Sequence, residues 1–232
     1  MIELKNVKYC VDSENELSFS IATKGIHGIF CSDEAERIML TDILSGARDA
    51  AFGSVLVGKE TADIPVSEYK AKIGCALFDA PFYSDATVEE TLDFVGRAKC
   101  VEPDKRYRQI KEALSFLSIE KISKKQIAKL SAQNKARVSI AQSLLGNPDI
   151  LIFEEPIALF DSNTAEICEL LGMLGKMKNV IIISTNQELL KAVCEDVIVV
   201  ENGSISFSGS VIDMPIYTEE AVVEINETEE NE

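Results

Sequence analysis

Asp149-Ile150-Leu151-Ile152-Phe153-Glu154-Glu155-Pro156 is the stretch on which the reading of this chain turns. After its aspartate it runs through four apolar residues without a polar interruption. That is the pattern of a strand buried on both faces of a parallel sheet. Two carboxylates and a proline then end it. Downstream, Val180-Ile181-Ile182-Ile183 repeats the pattern. Between the two, residues 164–177 carry Ile167, Leu170, Leu171 and Leu174 at helical spacing. Alternating strand and helix is the unit of an α/β sheet. Residues 187–194 predict another helix, and residues 197–200 and 204–207 predict strands joined at Asn202-Gly203.

Upstream, residues 2–7 and 17–21 alternate apolar and polar side chains, the sign of half-buried strands. Residues 25–30 form a short apolar strand that runs into a polar turn at 31–36 and a helix at 37–44. Residues 53–58 are a further strand bounded by glycines. The middle is helical. Thr87 and Glu90 form a capping box, with Val88, Thr91, Leu92 and Val95 on one face. Pro103 opens a second helix with Ile110, Ala113, Leu114 and Leu117 inward. Ser131 caps a third, with Val138, Ala141, Leu144 and Leu145 inward. These pieces predict an α/β core with an antiparallel β subdomain in front and a helical insertion near 85–145.

Composition narrows the function classes. The chain has 232 residues, 23 Lys and Arg, 39 Asp and Glu, and a net charge of −16. Such acidity excludes a nucleic-acid partner bound through phosphates, and simple adhesion to anionic lipid. Apolar runs are too short to span a bilayer, and Met1-Ile2-Glu3-Leu4-Lys5 is neither a secretory signal nor a transit peptide. Residues 218–232 hold seven Glu and no base. They are expected to form a solvated, disordered tail after a domain at 1–217, with Ala221-Val222-Val223 and Ile225 able to dock transiently. The six cysteines form no C-x-x-C pair and there is one histidine, His27. Free thiols in a reducing cytosol and no metal site are therefore expected.

In their order, the pieces resemble the nucleotide-binding subunit of an ATP-binding cassette (ABC) transporter, a P-loop NTPase-like fold, over residues 1–209. Residues 28–40 stand where the phosphate-binding loop and its helix belong. Ile73-Gly74-Cys75-Ala76-Leu77-Phe78-Asp79-Ala80-Pro81-Phe82-Tyr83 resembles the Q-loop passage, and Thr87-Val88-Glu89-Glu90 starts the first insertion helix. Leu130-Ser131-Ala132-Gln133-Asn134 resembles the signature motif. Residues 144–156 follow it at the family's spacing as the Walker B region, and Ile182-Ile183-Ser184-Thr185-Asn186 matches the switch strand. Tyr9 lies near the usual adenine-stacking aromatic, and Asp161 matches the D-loop aspartate.

The positions that the resemblance assigns to nucleotide chemistry depart from the pattern. In the phosphate loop, Cys31, Glu34 and Glu36 replace three glycines, whose role is to let backbone amides wrap phosphates. Arg37 stands for the lysine, Ile38 for the hydroxyl that holds Mg²⁺, and Met39 follows. Asp33, Glu34 and Glu36 would sit beside a triphosphate, where like charges about 4 Å apart repel by roughly 4 kcal/mol at an effective dielectric near 20. Two readings follow: a variant phosphate site, or a loop kept for packing. Phe78 replaces the Q-loop's polar residue; with Pro81, Phe82 and Tyr83 it forms either a docking surface or ordinary core. Ser131 is retained, yet explicable as a helix cap, and Gln133 replaces a glycine. Glu154 replaces the Mg²⁺-holding aspartate, Glu155 takes the general base's place, and Asn186 the switch histidine's. Arg37 and Glu154 are placed to pair across the emptied site. Asp161 has an alternative role as a helix cap.

The resulting expectation is a degenerate ABC subunit without bound cofactor, deficient in ATP binding and hydrolysis. By the resemblance it is structural or regulatory, cytoplasmic, and peripheral on the inner membrane face through a membrane-spanning transporter subunit. A homodimer, or a heterodimer with a competent ATP-binding subunit, is a further partner. Two alternatives stand beside it: an active divergent ATPase that uses ATP and Mg²⁺, and a soluble non-catalytic interaction module.

Overall fold

The computed structural model describes residues 1–58, 70–77, 80–156 and 164–217. The expected residues Phe78 and Asp161 and the tail 218–232 therefore lie outside the described residues. Two sheets organise the chain. The first is antiparallel, in the order β2-β1-β4, from β1 (Ile2–Lys8), β2 (Leu17–Ile21) and β4 (Phe52–Val57). The second has the order β5-β6-β7-β3-β8-β9. It is built from β3 (Gly25–Cys31), β5 (Ile73–Ala76), β6 (Ile150–Glu154), β7 (Asn179–Ser184), β8 (Asp196–Glu201) and β9 (Ser204–Ser210). All its neighbours are parallel except the β8-β9 hairpin. That hairpin turns at Asn202 (φ 50°) and Gly203 (φ 73°), the two left-handed positions that an Asn-Gly turn supplies at least strain.

Alternation along the central strands divides the core. Val180 and Ile182 of β7 face one apolar cluster with Phe30, Leu151 and Phe153; Ile181 and Ile183 face the other with Ile29, Ile150 and Ile152. The first cluster is closed by α5 (Thr164–Gly175), through Ile167, Leu170, Leu171 and Leu174, and by α6 (Gln187–Val193). The second is closed by the antiparallel sheet and α1 (Glu34–Ser45). The continuous apolar runs are thus strands wetted on neither face.

The insertion comprises α2 (Val88–Ala98), α3 (Pro103–Phe116) and α4 (Ala132–Leu144). The Thr87–Glu90 capping box is reciprocal, and Pro103 stands in the first helical turn. The short strand β5 carries no periodicity of its own and escapes the sequence pattern. Its register is set by parallel pairing with β6, and its packing on α4 depends on Gly74, where a Cβ would come 1.9 Å from the Ser143 carbonyl oxygen. All six cysteines are free thiols. Among the described residues no helix is long and apolar enough to cross a membrane, and no group of side chains could hold a metal ion.

Candidate nucleotide-site region

The region forms where β3, β6 and β7 end together. The first correction to the sequence reading lies here: residues 34–36 belong to α1, not to a polar turn before it. Asp33 is the N-cap, its carboxylate accepting from Glu36 N at 2.7 Å. A carboxylate there satisfies an orphan donor and opposes the positive end of the helix dipole.

Arg37, in the first turn of α1, is 4% exposed. Its Nη1 donates to Glu154 Oε1 at 2.5 Å, its Nη2 to Glu34 Oε1 at 3.2 Å, and its Nε lies 3.6 Å from Glu155 Oε1. Glu154 ends β6 and is 7% exposed. The expected pairing of Arg37 with Glu154 is therefore present, and two further carboxylates join it. Glu155 has a left-handed backbone (φ 43°), a conformation costing on the order of 1 kcal/mol outside glycine. It is held there by Ser184 Oγ at 2.9 Å and Thr185 N at 2.5 Å, both donating to its carboxylate.

Glu36 points the other way, to the hairpin. It is buried, and its Oε1 accepts from Gly203 N at 2.7 Å. Burial pushes its carboxyl above the usual range, and the hydrogen bond from Gly203 offsets only part of that. The Tyr9 hydroxyl is buried beside it; burial and the Glu36 charge raise the phenol likewise. Asn15 Nδ2 donates to Asn202 O at 2.9 Å. The antiparallel sheet, α1 and the β8-β9 turn are thereby clasped around one carboxylate. Cys31 is buried at the end of β3, where burial, then Glu36, pushes its thiol up, the condition of an inert thiol. Ile38 is exposed, and Met39 packs partly into the second cluster.

Asn186 caps α6, its Oδ1 accepting from Leu189 N at 2.9 Å, and its own N–H donates at 2.9 Å to the Ser184 Oγ that holds Glu155. The remaining positions stand apart. Ser131 caps α4 and accepts from Asn134 N at 3.3 Å; Gln133 follows, half-buried. No hydrogen bond or ion pair among the described residues links Ser131 or Gln133 to Arg37. Pro81 is exposed, Phe82 packs against the first cluster, and Tyr83 stands edge-on to Phe94 with centroids 5.8 Å apart. The partners that sequence patterns miss are Gly203 and Ser184, 167 and 29 residues from the carboxylates they serve. Only the strand order brings them there.

Chain-wide comparison agrees with this architecture. The chain is 29% identical over 212 residues to the uncharacterized ABC transporter ATP-binding protein YxlF of Bacillus subtilis (strain 168), covering 90% of this chain and 66% of that one. It is 24% identical over 226 residues to the methionine import ATP-binding protein MetN 1 of Enterococcus faecalis, covering 91% and 64%. It therefore spans just under two-thirds of the length of these relatives. Among solved structures it superposes on cbiO1 of Clostridium perfringens, part of the ABC transporter complex cbiONQ, with a TM-score of 0.78 and 22% identity over 97% and 93% of the two chains. It superposes on a bacterial ABC transporter cassette solved as a dimer with a TM-score of 0.77 and 21% identity, over 91% and 99%. These two structures speak for the fold alone. Residues 15–158, more than half the chain, match the family described as ABC transporter, and with the strand order and site position above this places the chain in the ABC transporter family.

Proposed function

We propose that this chain is an ABC transporter ATP-binding subunit deficient in ATP binding and hydrolysis, a structural or regulatory partner of a membrane-spanning transporter subunit. The observation that carries this reading is the buried Arg37, whose guanidinium is already shared among Glu34, Glu154 and Glu155. At the position assigned to phosphate neutralisation, the cation is neutralised from within. Glu36, where the family pattern has glycine, is buried against Gly203, so the backbone cannot open a cradle without breaking that clasp. Ile38 brings no oxygen to a cation. These residues do not fit a magnesium nucleotide, and no catalytic step is assigned to them.

The membrane partner is proposed from family membership. In support, one fold relative is part of an ABC transporter complex and another is dimeric; a homodimer or heterodimer of this chain is proposed on the same ground. The docking surface is assigned to the exposed Pro81 and Tyr83, with Phe78 beside them in sequence, at the cytoplasmic membrane face; Phe82 between them packs against the first core cluster and anchors the segment. One observation favours a second reading, an active divergent ATPase: Glu155, at the general-base position, is oriented by Ser184 and Thr185. Thermal unfolding with Mg-ATP separates the two. A ligand at 100 times its Kd stabilises by about 2.7 kcal/mol, or roughly 5–10 °C in a chain of this size. No shift is expected; a rise of that order would favour the active enzyme.

A further inference from the structure

The helical insertion differs from the rest of the chain in charge. Residues 85–145 hold 12 Lys and Arg against 8 Asp and Glu, while the whole chain has 23 against 39. The excess concentrates in residues 121–135, where Lys121, Lys124, Lys125, Lys129 and Lys135 occur with no acidic residue. All five are exposed. Lys124 pairs with Glu89 at 2.8 Å; the other four form no ion pair with the described residues.

This strip lies along the segment that carries the aromatic pair. Ala128 N donates to Ser84 O at 3.0 Å, Ile127 N to Ala86 O at 2.9 Å, and Val88 N to Lys125 O at 3.1 Å. Lys125 and Lys129 therefore flank the chain that follows Tyr83. Tyr83 is 70% exposed and Phe94 57%. An exposed aromatic patch beside lysines of which only Lys124 is paired within the described residues is a surface for an acidic peptide with spaced apolar side chains: carboxylates for the rim, apolar groups for the rings.

The chain carries such a segment. Residues 218–232 hold seven Glu, no base, and the apolar Ala221, Val222, Val223 and Ile225. Their point of departure is fixed. The Tyr217 ring lies on Phe30 with centroids 4.8 Å apart, Gln187 Oε1 accepts from Tyr217 N at 3.3 Å, and the Gln187 amide donates to Tyr217 O. From there 15 residues reach about 50 Å when extended. A body of this size has a radius of gyration of about 17 Å, so the strip is within reach. Tethering supplies an effective concentration on the order of millimolar, far above that of a second copy at micromolar protein.

We infer that residues 218–232 dock on their own chain, on the surface formed by Lys121, Lys124, Lys125, Lys129 and the Tyr83–Phe94 pair.

Carbodiimide coupling of carboxylates to amines in the full chain, read by mass spectrometry, tests the docking directly. At low salt, glutamates of 218–232 should couple to Lys121, Lys124, Lys125 or Lys129 at least about 5-fold more than to the exposed Lys24 and Lys176. The yield should fall several-fold in 0.5 M NaCl, where the screening length is about 4 Å. It should fall similarly in the surface variant Lys125→Glu/Lys129→Glu and in Tyr83→Ser. In a mixture of isotopically light and heavy chains the products should stay unmixed. Coupling spread evenly over all exposed lysines, or absent, overturns the docking; mixed light-heavy products overturn its assignment to one chain. No membrane subunit is present, so these outcomes are independent of where that subunit binds.

Discussion

Replacing Arg37 by Met tests whether the site is occupied by the chain's own charges. Arg37 and Glu154 have side chains 5% and 10% exposed and lie 2.5 Å apart. Arg37→Met removes the guanidinium and leaves Glu154 with no countercharge from it. Breaking one side of a buried pair in this way costs about 3–5 kcal/mol. In a chain of this size that is a fall of roughly 6–20 °C in Tm. Glu154→Met alone should be milder, because Arg37 retains Glu34 and Glu155 as partners. The double variant Arg37→Met/Glu154→Met replaces the pair by apolar side chains of similar volume, which is often neutral; it should lie within about 2 kcal/mol of the parent, because Glu155 keeps its donors from Ser184 and Thr185. Urea unfolding followed by circular dichroism, with unchanged m, gives all four values. A loss under about 1 kcal/mol in Arg37→Met, or a double variant no better than the sum of the singles, refutes the self-paired site.

Three further outcomes follow from the same geometry. Glu36→Ala orphans the buried Gly203 N–H and should cost about 1–3 kcal/mol, whereas Glu36→Gln keeps an acceptor. Because burial raises the Glu36 carboxyl, its ionisation opposes folding as pH climbs through the raised value. Urea midpoints should therefore favour the Gln variant at pH 8 and converge with the parent below about pH 4.5. Gly74→Ala places a methyl 1.9 Å from the Ser143 carbonyl and should cost about 3 kcal/mol, the upper end of the usual overpacking range, by separating β5 from α4, read from the same titration. His27 is buried; burial alone would lower its pKa, but Asp196, at 2.8 Å from Nδ1, raises it. The pair's contribution is complete below the unfolded value of about 6.5 and is lost as pH rises through the higher folded value. With Asp196 52% exposed it amounts to no more than about 1 kcal/mol. The deficit of Asp196→Asn in urea should accordingly be larger at pH 6 than at pH 9.

The parts of the fold legible in sequence are those with an uninterrupted local signal. Ile150–Phe153 and Val180–Ile183 read as buried strands because no polar residue breaks them. Thr87 and Ser131 read as caps because a cap is a contact three residues long. Arg37 with Glu154 was legible through the resemblance, which placed two opposite charges at one site. The start of α1 was not. Three acids within four residues, Asp33, Glu34 and Glu36, read as a turn or a clash, but in the fold each has its own partner: Asp33 the amide of Glu36, Glu34 the guanidinium of Arg37, Glu36 the amide of Gly203. The last of these is set by the β3-β8 pairing and the hairpin beyond it, which no local pattern encodes. Strand β5 was missed for the same reason: what holds it is a glycine's close approach to α4, not the periodicity of its four residues.

Calorimetric titration of ATP into the full chain, with and without Mg²⁺, tests the central claim most directly. With Arg37 shared among Glu34, Glu154 and Glu155, and Glu36 clasped to Gly203, no saturable heat is predicted up to millimolar nucleotide under either condition. A single site with micromolar affinity that strengthens when Mg²⁺ is added would contradict it.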